Sequence, residues 1–308
     1  MSETVRDYDW LAEDMRAFIR MTEESYPPDA TEFPIAEQRA FYDRMCRAFD
    51  RPHPPGLHTE DRAIAGVPCR LYTPETVRAG RTVVFFHGGG FILGGLRSHD
   101  AICAELSTGA GAKLIAVDYR LSPEHLHSAA FDDAMAVCRA VEGPKVLVGD
   151  SAGGNLAATV AANLPGIAGQ VLIYPGLGGG PDLPSYTRHA QAPLMTLAEA
   201  EYYTRIRLAP GTPETALMDP TLAPLQARGF GHLPPTALFA AECDPLASDA
   251  VEYAARLTEA GVPVTLVTEP GLVHGYLRAR HMARGAQQSF ARITQALAAL
   301  AGRAGADQ

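Results

Sequence analysis

Lys145-Val146-Leu147-Val148-Gly149-Asp150-Ser151-Ala152-Gly153-Gly154-Asn155 changes its hydrophobic period partway along. Val146, Leu147 and Val148 form a continuous apolar run, as in a short buried strand. Beyond them Ala152, Leu156, Ala157, Val160 and Ala161 recur at helical spacing, with good helix formers and no proline before Pro165. The stretch therefore reads as strand, sharp turn, helix. Ser151 stands at the turn between Gly149 and Gly153. A turn tight enough to lift a hydroxyl clear of the backbone presses its flanks against neighbouring chain, where only a residue without Cβ fits. The serine would also sit at a helix N-terminus, whose unpaired N–H groups favour a developing negative charge.

Alone, the Gly-x-Ser-x-Gly spacing is weak. With glycine and serine each near ~7% of residues, it arises by chance in roughly one chain in ten of this length, and a glycine-rich loop capped by Ser151 would look the same. The rest of the chain must decide. Its 308 residues suffice for one large domain with an inserted or appended part. Hydrophobic residues at 47% and charged residues at 20% fit an ordinary globular protein, and no apolar run approaches a membrane span. The start, Met-Ser-Glu-Thr-Val-Arg-Asp, lacks a basic stretch followed by an apolar core, so no secretory signal is expected. Cys46, Cys69, Cys103, Cys138 and Cys243 are scattered and form no C-x-x-C pair, which predicts reduced thiols in a cytoplasmic protein rather than a disulfide framework or zinc site. A net charge of −9 without a basic patch argues against nucleic acid and anionic membranes as partners.

Residues 1–50 read as two helices with apolar stripes, Leu11-Met15-Phe18-Ile19 and Phe41-Met45-Phe49, separated by Pro27-Pro28. Acidic residues dominate the polar face, against a membrane-surface role. After a proline-rich linker, residues 51–175 alternate strand and helix: a hairpin or strand over 63–71, strands at 82–86, 113–117 and 170–174, and helices at 99–110 and 129–141. Alternation of this kind implies a parallel sheet with helices on both faces. It lapses over 176–233, which holds one predicted helix at 197–207 and is too long for a connection. We read that segment as an inserted cap packing with the N-terminal helices. In residues 234–308 the alternation returns, with strands at 236–241 and 264–268 and helices at 247–260 and 283–300. The tail from Gly302 is expected to be disordered.

A serine hydroxyl needs a base to become a nucleophile, the base needs an orienting acid, and a developing oxyanion needs donors. His87-Gly88-Gly89-Gly90 follows a predicted strand, and consecutive glycines let backbone N–H groups reach a substrate carbonyl. Gly89, Gly90 and Ala152 are the candidate donors, with His87 shaping the loop rather than acting as base. A phosphate loop is excluded, since neither G-x-G-x-x-G nor a terminal Gly-Lys-Ser/Thr occurs in these glycine runs. Asp244, after the 236–241 strand and before Pro245, is the candidate acid, a position equally suited to a helix N-cap. Glu242 on the strand and Asp249 inside the helix are poorer choices. His274, beyond the last strand and between Gly271 and Gly275, is the candidate base. The order Ser151, Asp244, His274 is the one expected for a serine on a strand-to-helix elbow.

Together, His87-Gly88-Gly89-Gly90-Phe91, Asp118-Tyr119-Arg120-Leu121-Ser122-Pro123-Glu124, Gly149-Asp150-Ser151-Ala152-Gly153-Gly154, Asp244-Pro245-Leu246 and His274-Gly275-Tyr276 resemble the bacterial hormone-sensitive lipase family of esterases. The resemblance spans about residues 60–300. It implies the α/β-hydrolase fold with a mostly parallel eight-stranded sheet, a helical cap, hydrolysis of short acyl esters by a serine carboxylesterase, and a family-typical homodimer. The chain departs at Leu126-His127-Ser128, where the family usually carries a proline- and phenylalanine-containing run, and at Tyr276, usually phenylalanine. No metal or organic cofactor is required, and the expected partner is a small-molecule ester. Phe18, Phe41, Tyr202 and Tyr203 are candidates for pocket lining. An amidase or deacetylase acting on a specific metabolite, or a ligand-binding protein on the same scaffold, would share most of these features.

Overall fold

The computed structural model describes residues 8–302. The expectations for the first seven residues and for the tail beyond Gly302 lie outside the described residues. Among those described, eight strands form one sheet in the order β1-β2-β4-β3-β5-β6-β7-β8.

The expected early hairpin is longer than its apolar residues suggest. β1 (Leu57–Ile64) and β2 (Val67–Pro74) pair antiparallel. Ala65 and Gly66, with φ of 51° and 83°, make a turn whose twist matches the strands. The polar residues His58 to Arg62 lie on this edge strand and face solvent, which hides it from a hydrophobic reading. β2 runs antiparallel to β4 (Leu114–Val117). From there β3 (Thr82–Phe86), β5 (Lys145–Asp150), β6 (Ile167–Ile173), β7 (Thr236–Cys243) and β8 (Val264–Val273) continue in parallel.

Helices cover both faces, and the strands show why. Successive side chains point to opposite sides of a sheet. Val83, Phe85, Val146 and Val148 enter one core with α1 (Glu13–Glu23), α2 (Ile35–Ala48), α3 (Asp100–Ala110) and α9 (Arg284–Gly302). Val84, Phe86 and Leu147 enter the other with α4 (Ser128–Ala140), α5 (Ala152–Asn163) and α8 (Ala247–Glu259). The segment between β6 and β7 holds the one-turn α6 (Pro184–Arg188), α7 (Leu197–Arg205) and two short 3-10 turns, Glu214–Met218 and Pro224–Gln226. α6 has no sequence-based expectation, being too short to show a period. Tyr203 of α7 packs with Ile92 and Leu93, and Tyr26, Ile35 and Tyr42 from the N-terminal region join that cluster.

One strand end and one helix cap differ from the sequence reading. β8 runs past the expected Thr268 because Glu269, only 1% exposed, is held by the Arg292 guanidinium and stays in the strand. α8 begins at Ala247 with Leu246 at its N-cap, so Asp244 is not the cap. Its Oδ1 instead accepts the Leu246 N–H at 2.9 Å.

Candidate active site

Ser151 leaves the end of β5 with φ 54° and ψ −118°, a left-handed conformation that costs a non-glycine residue about 1–3 kcal/mol. The neighbouring glycines make it possible. A Cβ on Gly149 would meet the Gly153 carbonyl oxygen at 2.1 Å, and one on Gly153 would meet the Phe86 carbonyl oxygen at 2.0 Å. The Ser151 N–H donates to the Ile173 carbonyl at 2.9 Å, tying the elbow to β6.

His274 reaches Ser151 through an irregularity in the last strand pair. Ala241 faces Glu269, yet Cys243 faces Val273, so extra residues of β8 bulge out between them. Gly271 takes φ 64° there and its N–H donates to Glu242 Oε2 at 2.8 Å. Glu242, weighed as an acid from sequence, thus fastens the bulge. The result carries His274 up beside Asp244. His274 Nδ1 lies 2.6 Å from Asp244 Oδ2 and Nε2 lies 2.8 Å from Ser151 Oγ. A carboxylate only accepts, so Nδ1 carries the proton and Nε2 is left to accept from the serine hydroxyl. Burial lowers the imidazole's proton affinity, but the charge and hydrogen bond of the fully buried Asp244 outweigh it and leave His274 above its ordinary pKa. Asp249 accepts from Leu177 N–H, Gly179 N–H and the Tyr186 hydroxyl instead, away from the histidine.

The glycine loop after β3 is held from two sides. His87 Nδ1 donates to the Gly88 carbonyl at 2.8 Å, and its ring stacks on Tyr119 with centroids 4.3 Å apart. The Tyr119 hydroxyl returns a bond to the His87 carbonyl at 2.6 Å. Burial brings the His87 pKa down to about 3, so it stays neutral and shapes the loop. On the other side the Gly88 N–H donates to Asp150 Oδ1 at 3.0 Å. Burial alone would raise this carboxyl, but His99, Arg278 and the Gly88 N–H hold it at about 2. Asp150 therefore locks the glycine loop to the elbow. It stands in the decisive stretch, yet nothing in a single sequence reveals that its side chain turns inward. Among the described residues, none accepts a hydrogen bond from the N–H groups of Gly89, Gly90 or Ala152.

Two cavities meet at the serine. One, of about 140 Å³, is lined by Gly89, Gly90, Ser151, His274, Tyr174 and Phe18 among others. The second, of about 410 Å³, includes Gly90, Ser151, Ala152, Asn155, Leu222 and Arg207. Met195 and Tyr203 border both, and a Cβ on Gly90 would strike the Tyr203 ring at 2.5 Å. Of the aromatic candidates, Phe18 and Tyr203 line the site. Phe41 packs edge-on against Phe33, and the Tyr202 hydroxyl accepts from Gln38. The departure at Tyr276 is absorbed structurally: its hydroxyl accepts from Ser289 at 2.8 Å and its ring meets Tyr174, which in turn packs against His274.

A family model described as alpha/beta hydrolase fold matches residues 83–278. Carboxylesterase NlhH of Mycobacterium tuberculosis is 38% identical over 246 residues, covering 72% of this chain and 76% of that protein. Ethyl acetate hydrolase of Pseudomonas putida is 34% identical over 251 residues, covering 75% of this chain and 78% of that protein. The crystal structure of an esterase from the bacterial hormone-sensitive lipase family superposes with a TM-score of 0.81 at 24% identity, over 94% of this chain and 99% of that one, a likeness of fold. Among the described residues no helix is long and apolar enough to cross a membrane.

Proposed function

The chain belongs to the α/β-hydrolase fold family, and from that membership we propose that Ser151, His274 and Asp244 hydrolyse a carboxylic ester through an acyl-enzyme. The reaction is serine ester hydrolysis, and ester hydrolysis is the chemistry named for its carboxylesterase and ethyl acetate hydrolase relatives. The observation that carries the assignment of residues is the continuous hydrogen-bonded line Asp244–His274–Ser151 at the junction of two cavities.

Ser151 Oγ attacks the ester carbonyl as its proton passes to His274 Nε2. Asp244 orients the ring and offsets the charge of the imidazolium. The N–H groups of Gly89, Gly90 and Ala152 receive the oxyanion, a stabilisation worth about 3–4 kcal/mol per donor in comparable sites. The C–O bond breaks, the alkoxide takes the proton from His274, and water, activated by the same nitrogen, cleaves the acyl-enzyme. The departing oxygen must lie beside His274. That residue lines the smaller cavity and not the larger, so the alcohol leaves through the smaller and the acyl group occupies the larger. α7, which borders both cavities, and the N-terminal helices, which border the smaller, act as a cap that favours short esters.

We extend the reading to location and assembly. Five cysteines, all buried and unpaired, suit a reducing cytoplasm. The open edge of β8 suits pairing of two copies, which sedimentation at the monomer mass would exclude. The central experiment compares p-nitrophenyl butyrate and palmitate with wild-type protein and Ser151→Ala. Butyrate should be turned over faster, and the variant should lose at least about 10³-fold in kcat. Substantial turnover by the variant would overturn the role of Ser151, and faster palmitate hydrolysis would overturn the short-acyl reading.

A further inference from the structure

Arg207 follows α7 and lies 4% exposed in the wall of the larger cavity. Its guanidinium carbon lies over Phe91, 3.5 Å from the ring centroid, beside the glycine loop. Among the described residues no carboxylate pairs with it. Its side-chain hydrogen-bond partner is His127 Nδ1, at 2.9 Å from Nη2, and its buried Nε has no partner among them.

His127 is one of the residues by which this chain departs from the family it resembles, and the structure fixes its state. The Thr221 hydroxyl donates to Asp219 Oδ1 at 2.8 Å, so it must accept the proton of His127 Nε2 at 2.9 Å. That leaves Nδ1 bare to receive Arg207. Burial and the nearby guanidinium hold the imidazole down at about 4, so it is neutral. The arginine is therefore positioned by a neutral ring and its charge is left uncompensated. Burying an unpaired cation costs several kcal/mol, and burial duly lowers Arg207 to about 9. The cavity's other charges do not answer it. Asp249 is committed to three donors, Arg205 pairs with Glu214 at 2.7 Å, and Glu201 faces solvent.

We propose that Arg207 binds a carboxylate on the acyl part of the substrate, so that this esterase acts on half-esters of short dicarboxylic acids. The inference rests on the esterase reading above, which places the acyl group in the larger cavity. A planar guanidinium matches a carboxylate with two parallel N–H···O bonds. With a monoethyl dicarboxylate, Ser151 displaces ethanol, whose proton comes from His274. Water then releases the dicarboxylate, and one proton leaves to solvent at neutral pH.

The test uses matched pairs from malonate to adipate, each monoethyl half-ester against the same ester with its free carboxylate replaced by a carboxamide. The wild-type enzyme should favour the best half-ester by at least about tenfold in kcat/KM, the worth of one charge-assisted hydrogen bond, chiefly through KM. Arg207→Gln should bring that ratio to about one, and Arg207→Lys should retain part of it. A wild-type ratio at or below one across the series, with the carboxamides still hydrolysed, overturns the inference and leaves the esterase reading standing. A ratio that survives Arg207→Gln overturns it too. If Arg207→Gln fails to fold, the wild-type ratio and Arg207→Lys decide. Hydrolysis of neither partner, nor of p-nitrophenyl acetate, overturns the esterase reading and this inference with it.

Discussion

At His274 two opposing effects act on one proton, and their balance is measurable. Burial disfavours the imidazolium, while the Asp244 charge 2.6 Å away favours it, and the second wins. In its proposed role as base His274 must be neutral to accept from Ser151, so the acid limb of kcat/KM should have its midpoint above the ~6.5 of a free imidazole. Asp244→Asn removes the largest raising cause and leaves burial opposed only by the more distant charges of Asp150 and Glu199, so the limb should move to lower pH while kcat falls by about 10⁴-fold. A pH–rate profile of both proteins checks this, and a variant whose limb stays in place would place the source of the shift elsewhere. Residues of this kind were legible because each candidate follows a readable strand: Ser151 after β5, Asp244 after β7, His274 after β8. Asp150, Glu242 and Arg207 were not. Each is a charged residue on or beside an element whose partner comes from a distant part of the chain, and the type of side chain does not say which way it turns.

The elements that shape the site depend on close backbone approach, and the glycines rank themselves by what stands nearby. Gly153 faces carbonyl oxygens of Phe86 and His87 at 2.0 and 2.7 Å from where a Cβ would be, and backbone cannot swing aside. Gly229 has nothing within 4 Å. Gly153→Ala should therefore lower stability by at least about 3 kcal/mol or prevent folding, whereas Gly229→Ala should be neutral or slightly stabilising by restricting the unfolded chain. Thermal denaturation of the two variants separates them, and equal midpoints would refute the steric account of the elbow. The strand–turn–helix unit was readable because its apolar period changes abruptly at Gly149. The bulge of β8 was not, because it is a difference in register between two strands, and register exists only once both are paired. The solvent-facing β1 escaped for a related reason: its polar middle carries no hydrophobic signal, and its place is set by the Ala65-Gly66 turn.

Across the whole molecule the proposed cap is less separable than a lid laid over a finished domain. The N-terminal stripe Leu11, Met15, Phe18 and Ile19, with Met45, Cys46 and Phe49 from α2 and its end, belongs to the same core as Val83, Phe85, Val146 and Val148 of the central strands. Phe18, 1% exposed, also lines the smaller cavity. α1 even reaches the last helix, where Asp14 Oδ2 accepts the Arg284 N–H at 2.8 Å. The stripes read from sequence as two helices packed on the main domain, and the shared core bears that out; which strands they meet was not legible. Side chains of this size stabilise by about 1.5–3 kcal/mol each when buried, so removing the group forfeits an amount comparable with the ~5–15 kcal/mol that holds a whole domain together. A chain starting at residue 51 should thus fail to fold rather than yield an open, less selective esterase. Near-ultraviolet circular dichroism and urea denaturation decide between the two. Loss of the aromatic signal and of a cooperative transition is expected. A truncated protein that unfolds cooperatively and hydrolyses long-chain esters faster than the intact chain would show instead that the N-terminal helices are a detachable cover.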